Sequence, residues 1–266
     1  MGGARDDLAE GAMDTDDIDP WEHHAGWWQQ GFTDGADPEY EEQIIPLAQS
    51  ALAGASRVLD VGTGEGQLAR VAHRLGAAVV GVDPTVAQLT VAQQRAGGPV
   101  YVRAGATSLP FRDRSFDAVV VCLVLEHVDD HTGAIAEIAR VVEPGGRLLL
   151  FLNHPLLQAP GSGWIDDHIL EEQYWRIGPY LVEDHSMEEV APGVVLPFIH
   201  RRLSAYVNAL AEHGLVIERM EEPAPPPGFV ARAPEYAQAV TIPRLLFLCA
   251  RRADLAPPRP TPPSTT

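Results

Sequence analysis

Val58-Leu59-Asp60-Val61-Gly62-Thr63-Gly64-Glu65-Gly66-Gln67-Leu68-Ala69 is the stretch that decides the fold of this 266-residue chain. An apolar, strand-like run carries an acid near its end, and a glycine-rich turn then opens a helix. Glycine in such a turn admits positive φ and lets a ligand approach the backbone where a side chain would collide. Alone, the pattern fits an ordinary tight strand-to-helix turn equally well. The next strand-like run adds weight. Val79-Val80-Gly81-Val82-Asp83 sets a carboxylate about twenty residues beyond the turn, where Rossmann-type sites bond ribose hydroxyls. The two features together point to an adenosine-containing ligand at the carboxyl edge of a sheet.

The glycine spacing narrows the ligand. A dinucleotide fingerprint needs glycine at its first, third and sixth positions. Here Gly62, Gly64 and Gly66 alternate, and Gln67 holds the sixth position. The Gly-Lys-Ser/Thr of a triphosphate loop is absent. Both pyrophosphate and triphosphate ligands are therefore disfavoured.

Outward from this stretch, strand and helix patterns alternate. The spacing predicts a helix over Tyr40–Ala53, blemished by Pro46, then a strand over Arg57–Val61 and a helix over Gly66–Leu75. A second strand, Ala78–Val82, precedes a helix from Thr85 to about Arg95, and Val100–Arg103 is a weaker third strand. Ala118–Leu123 is continuously apolar, as a strand buried on both faces must be. A helix over Thr132–Val142, ended by Pro144-Gly145-Gly146, leads to a fifth strand, Arg147–Leu152. Residues 154–200 then break the rhythm with five prolines and four glycines. Alternation resumes with a helix over Arg201–His213 and strands over Leu215–Met220 and Arg244–Ala250. The expected fold is α/β: a Rossmann-like, doubly wound, mostly parallel seven-stranded sheet with a cap insertion after the fifth strand.

The expected organisation is an acidic N-terminal arm and lid over 1–35, a main domain over 36–252 with its cap at about 154–200, and a proline-rich tail over 253–266. Residues 1 to about 20 are acidic and poor in large apolar groups, so they are expected to be mobile. The net charge of −18 repels phosphate backbones, and no basic cluster exceeds a pair of arginines. A small-molecule substrate is expected and a nucleic acid is not; oligomeric state is not legible. The longest apolar run, Ala118–Leu125, is far short of the roughly 20 residues that span a membrane. With no signal-like N-terminus, the cytoplasm is the expected location. Cys122 and Cys249 sit in strand-like runs and are read as buried small hydrophobes.

In this context the sequence resembles the class I S-adenosylmethionine-dependent methyltransferases, especially the ubiquinone/menaquinone-biosynthesis-like (methyltransferase type 11) group. The resemblance covers roughly residues 40–153. Leu59–Gly66 is similar to the first motif and Val82-Asp83 to the second. Gly105-Ala106-Thr107-Ser108-Leu109-Pro110-Phe111, Val121–Val128 and Ile138–Gly146 are similar to the next three, in order. The cofactor it implies is S-adenosyl-L-methionine. Gly62, Thr63 and Gly64 would pack against the methionine portion, with Asp60 positioning its ammonium group. Asp83 would hold the ribose hydroxyls, Gly105, Ala106 and Thr107 would border the adenine, and Cys122 and Leu123 would lie near the methyl group. One departure stands out: many relatives carry Asp where this chain has Gly105, and that Asp bonds the adenine amino group.

A sulfonium-activated methyl needs an aligned acceptor, and a base only if the acceptor must lose a proton. The expected base is His154, at the carboxyl end of the fifth strand, with His200 as a second candidate. His127 is read as a structural histidine. Trp164, Tyr174, Trp175, Tyr180 and Phe198 are expected to supply apolar walls of a capped acceptor pocket. Trp21, Trp27, Trp28 and Phe32 are read as a lid, with simple anchoring of the arm as the alternative. Asp166-Asp167-His168 lacks companion ligands, so no metal is expected. The expected activity is methyl transfer to an O, N or C atom of a small, hydrophobic metabolite. Two other readings remain open here: an S-adenosylmethionine-binding protein whose capped pocket does other chemistry, and a nicotinamide-dependent oxidoreductase.

Overall fold

The computed structural model describes residues 19–233 and 240–254. The expectations for the acidic arm up to residue 18 and for the proline-rich tail from residue 255 lie outside the described residues.

Helix α1 (Pro20–Gly31) precedes α2 (Ile45–Leu52), which is entered through a wide π turn over Tyr40–Ile44. The expected blemish at Pro46 has this form. Proline has no N–H and its ring crowds the carbonyl four residues back. The chain widens just before it, so that the Ile45 N–H reaches the Tyr40 carbonyl, five residues back.

Strands β1 (Arg57–Val61), β2 (Ala78–Asp83), β3 (Val100–Arg103) and β4 (Phe116–Cys122) alternate with α3 (Gln67–Arg74) and α4 (Val86–Arg95). After β4 come a single 3-10 turn over Leu125–His127, α5 (His131–Val141) and β5 (Val142–Asn153). Then follow α7 (Leu203–Glu212), β10 (Leu215–Glu221), the short α8 (Pro227–Arg232) and β11 (Leu245–Arg252). The seven strands are ordered β3-β2-β1-β4-β5-β11-β10. All neighbours are parallel except at β11, which runs antiparallel to both β5 and β10. The chain winds from β1 outward to β3, then crosses back to β4 on the other side of β1. Ligands of such sheets bind outside the carboxyl ends of the strands at that reversal.

The apolar run in β4 is buried on both faces, as its continuity predicts. Val119 and Val121 face the layer of α5 and α7, while Ala118, Val120 and Cys122 face α2 and α3. One boundary differs from expectation. Pro144-Gly145-Gly146 lies inside β5 rather than before it, because Val142 already pairs with Phe116. The register then shifts between Phe116 and Ala118, and Gly145 takes φ +78° across the irregularity.

Residues 154–200 form α6 (Pro155–Gln158) and two antiparallel hairpins. One is β6 (Gly163–Asp167) with β7 (Glu172–Arg176); the other is β8 (Asp184–Ala191) with β9 (Val194–His200). Among the described residues, neither hairpin joins the seven-stranded sheet. No helix of the described residues is long and apolar enough to cross a membrane.

Candidate functional site

Beyond Val61 the chain turns over the end of β2, and the N–H groups of Gly62 and Thr63 both donate to the Val82 carbonyl, at 2.8 and 2.9 Å. Gly62 has φ +70°, and a Cβ there would stand 2.2 Å from Val124 Cγ2. Gly66, at the start of α3, has φ +86°, and its Cβ would stand 2.2 Å from the Tyr101 hydroxyl oxygen. These two glycines are therefore demanded by both conformation and packing.

Asp60 is buried beneath this turn and accepts the Thr63 hydroxyl at 2.7 Å. Burial pushes its carboxyl up to about 7, against the Thr63 and Ala69 hydrogen bonds that pull it down. Asp83, at the tip of β2, accepts the N–H of Gly64 and that of Thr85, both at 2.9 Å. Burial raises its carboxyl too, and those bonds oppose the rise. Leu123, just past β4, holds φ +55°, a sparsely populated conformation for leucine, while its N–H donates to the Phe151 carbonyl at 3.0 Å.

These strand ends enclose a cavity of about 480 Å³, within the range of small-molecule sites. All ten residues expected at a cofactor line it: Asp60, Gly62, Thr63 and Gly64 from the first turn, Asp83 from β2, Gly105, Ala106 and Thr107 beyond β3, and Cys122 and Leu123 at β4. The donor set fits S-adenosylmethionine. Two buried carboxylates forced upward are matched by a cationic ammonium and by hydroxyl donors. Open space also surrounds Gly105, with nothing within 4 Å of where a Cβ would stand.

Helix α1 lies across this cavity. Its Trp21 and Trp28 line the wall, while Trp27 and Phe32 do not; Phe32 stacks on Trp28 with ring centroids 4.5 Å apart. Polar contacts hold α1 in place. The Glu22 carboxylate accepts the N–H groups of Val86 and Ala87, at 2.7 and 2.9 Å, and so caps α4. Gln29 donates to the Gln88 side-chain oxygen at 3.0 Å.

The histidines are arranged differently from expectation. Neither His154 nor His200 lines the cavity. The ring of His154 is a cap: Nδ1 accepts the Leu156 N–H at 3.1 Å, and Nε2 donates to Glu222 at 2.8 Å. Asn153 ends β5 against the buried Glu126 carboxylate, and His154 turns away with Pro155 to start α6. His200 is 3% exposed, and its Nε2 donates to the Tyr180 carbonyl at 2.9 Å. Both rings are thus engaged in hydrogen bonds away from the cavity wall.

His127, read from sequence as structural, does line the cavity. Its Nδ1 bonds the Pro197 carbonyl at 2.7 Å, and its ring meets Trp21 and Phe198 edge to face, with centroids 4.7 and 4.5 Å away. Of the insertion's residues only Pro197 reaches the cavity wall; Trp164, Tyr174, Trp175 and Tyr180 do not. Sequence reasoning also passed over Tyr40, Thr85, Gln88 and Val128, which line the wall. Thr85, two residues past Asp83, was the one with a local signal. Gln88 follows one turn later on α4 and Val128 ends the turn after β4, while Tyr40 arrives from a distant element.

The methyltransferase-domain family model matches residues 59–150. Among solved structures, an S-adenosylmethionine-dependent methyltransferase from Mesorhizobium loti is 30% identical with a TM-score of 0.68, over 78% of this chain and 96% of that one. A demethylmenaquinone methyltransferase from Tropheryma whipplei is 37% identical over 107 residues, 39% of this chain and 45% of that protein. An O-methyltransferase from Aspergillus sclerotiorum is 32% identical over 136 residues, 48% of this chain and 52% of that protein. The matched part thus spans about half the length of these curated relatives.

Proposed function

The chain belongs to the S-adenosylmethionine-dependent methyltransferases, and we propose that it transfers the cofactor's methyl group to an O, N or C atom of a small, largely apolar molecule. One observation carries this reading: a single cavity is lined both by the carboxylates of Asp60 and Asp83 and by the apolar or aromatic side chains of Trp21, Tyr40, Leu123 and Val128. A net charge of −18 favours a small molecule over a nucleic acid as acceptor.

When bound, the cofactor supplies a methyl group activated by a positively charged sulfur. Asp60 would hold the ammonium group, with Thr63 fixing the carboxylate's rotamer. Asp83 would accept the ribose hydroxyls; its bonds from Gly64 and Thr85 fix the carboxylate's orientation and leave lone pairs for them. The backbone of Gly105, Ala106 and Thr107 would border the adenine, and Cys122 and Leu123 would flank the methyl group. Burial holds the Cys122 thiol and the Tyr40 hydroxyl protonated, so neither competes as a nucleophile for the methyl group. Helix α1 would act as the lid that excludes water and aligns the acceptor.

Calorimetric titration with S-adenosylmethionine and S-adenosylhomocysteine, beside a nicotinamide dinucleotide control, tests the cofactor. Asp83→Ala is expected to weaken binding by about 1–3 kcal/mol through lost charged hydrogen bonds. Incubation with methyl-labelled cofactor and a panel of small phenols, amines and carbon acids then tests transfer. Tight binding with no label on any acceptor would favour a protein that uses the cofactor for other chemistry. No binding would remove the reading altogether.

A further inference from the structure

The cavity wall includes the imidazole of His127, one of whose nitrogens is open to a hydrogen bond from a neutral ligand without displacing a structural one. A carbonyl can only accept, so the Nδ1 of His127 carries the proton that it shares with Pro197. Its Nε2 is left with a lone pair, and among the described residues no group hydrogen-bonds it. The ring keeps part of its surface open to the cavity although protein surrounds it on the other sides.

Three features fix this nitrogen in place. Trp21 of α1 and Phe198 of β9 grip the imidazole edge to face. The Pro197 bond prevents the ring from flipping. Beneath it, the buried Arg201 donates to the carbonyls of Leu125, Val128 and Asp129, at 2.9, 2.9 and 2.8 Å, and pins the turn on both sides of His127. Burial also lowers the imidazole's pKa to about 4, opposed only by the Pro197 bond, so the ring is neutral across the physiological range. A fixed, neutral acceptor in an aromatic-walled cavity selects a ligand that presents an O–H or N–H from a flat apolar body.

We propose that His127 Nε2 receives the hydrogen bond of the methyl acceptor, and that the acceptor is an aromatic molecule bearing an O–H or N–H group. This rests on the methyltransferase reading of the same cavity. His127 thereby orients the acceptor beside Cys122 and Leu123. It does so through a hydrogen bond to the donor, and Trp21 supplies the face on which the ring lies.

The test uses the full chain saturated with S-adenosylhomocysteine, so that no turnover occurs. The probes are 1-naphthol and 1-methoxynaphthalene, which differ in the O–H donor. Wild type is expected to bind 1-naphthol roughly five- to tenfold more tightly than the ether. In His127→Ala that preference disappears, and in His127→Gln, which keeps an acceptor oxygen, part of it returns. Affinity for S-adenosylhomocysteine is expected to change less than about twofold in both variants, as for any residue outside the cofactor's own contacts. A ¹⁵N–¹H correlation spectrum of the histidine rings reads the tautomer directly, with His127 protonated at Nδ1 alone from pH 8 down to pH 5. Equal loss of both probes in His127→Ala would reduce the residue to packing and overturn the proposal, as would an Nε2-protonated ring. Binding of S-adenosylhomocysteine with no binding of 1-naphthol would overturn the acceptor class. Failure to bind S-adenosylhomocysteine would strike the methyltransferase reading instead.

Discussion

The two ends of the cavity are assembled by different means. At the cofactor end, Gly64 and Asp83 are 19 residues apart and meet because parallel strands β1 and β2 end side by side. At the acceptor end, His127 and Pro197 are 70 residues apart, and Trp21 comes from a third, remote element. The first end is backbone turned by glycines and fixed by sheet register. The second is held by side chains from remote elements, through ring contacts and through His127 and a buried arginine reaching backbone carbonyls. A site built the first way tolerates little change, whereas one built the second way can be altered piece by piece.

That contrast can be broken most severely at Gly62. Gly62→Ala forces a Cβ onto Val124 at a positive φ. Cofactor affinity is expected to fall on the order of a hundredfold, with a melting point lowered by several degrees, as strain and overpacking add. Unchanged titration and melting curves would show that the turn adapts freely and that the contrast is overstated.

Asp60 gives the next largest effect. Its carboxyl sits at about 7 in the free protein, so below that pH it is mostly protonated and a cationic ligand must first displace the proton. Affinity for S-adenosylmethionine is therefore expected to rise with pH through 7 and to fall by up to about tenfold per unit below it. Asp60→Asn should bind more weakly and lose that slope. A wild-type profile flat from pH 5.5 to 8 would separate Asp60 from the cation.

On the acceptor side, Glu22→Ala removes the cap that α1 gives α4. Losing such a cap costs about 0.5–2 kcal/mol. The expected signature is faster hydrogen exchange across Pro20–Gly31 and faster cofactor release in stopped flow, with no change in exchange across β1. Equal acceleration in both regions would mean that the two ends are one cooperative unit.

The smallest effect is a gain. Space around Gly105 admits a side chain, so Gly105→Asp should fit and offer an acceptor to the adenine amino group. Affinity is expected to improve severalfold, by about 0.5–1.5 kcal/mol. A loss would show that the wall beyond β3 is not where the adenine lies.

The sheet was legible because its signals are local. Val58–Val61, Val79–Asp83 and Ala118–Cys122 are short apolar runs whose carboxyl ends meet once a parallel sheet is assumed. Seven of the ten residues read as cofactor contacts come from those ends and the turns beyond them, the other three lie just beyond β3, and all ten line one cavity. The acceptor end was not legible for the opposite reason. His154 has the better position along the chain, at the end of β5, but its ring is consumed by capping α6 and by Glu222. His127 faces the cavity only because Pro197 and Arg201 return from the insertion to seize the turn that holds it. Nothing within several residues of His127 announces that contact. The hairpins of the insertion were likewise missed, since their strands alternate weakly in sequence and expose large apolar groups such as Tyr174 and Met187.

The hairpins' independence from the main sheet has a further consequence. Their strands pair only with each other, so the sheet's ladders run from β5 to β11 without them. The segment between Asn153 and Arg201 is thus tied to the rest of the chain by side-chain couplings and not by the sheet: Asn153 on Glu126, His154 on Glu222 and Pro197 on His127, with Arg201 on the turn carbonyls just beyond it. Changes in the hairpins can therefore reach the acceptor only through Pro197 and the His127 ring that it and Phe198 hold.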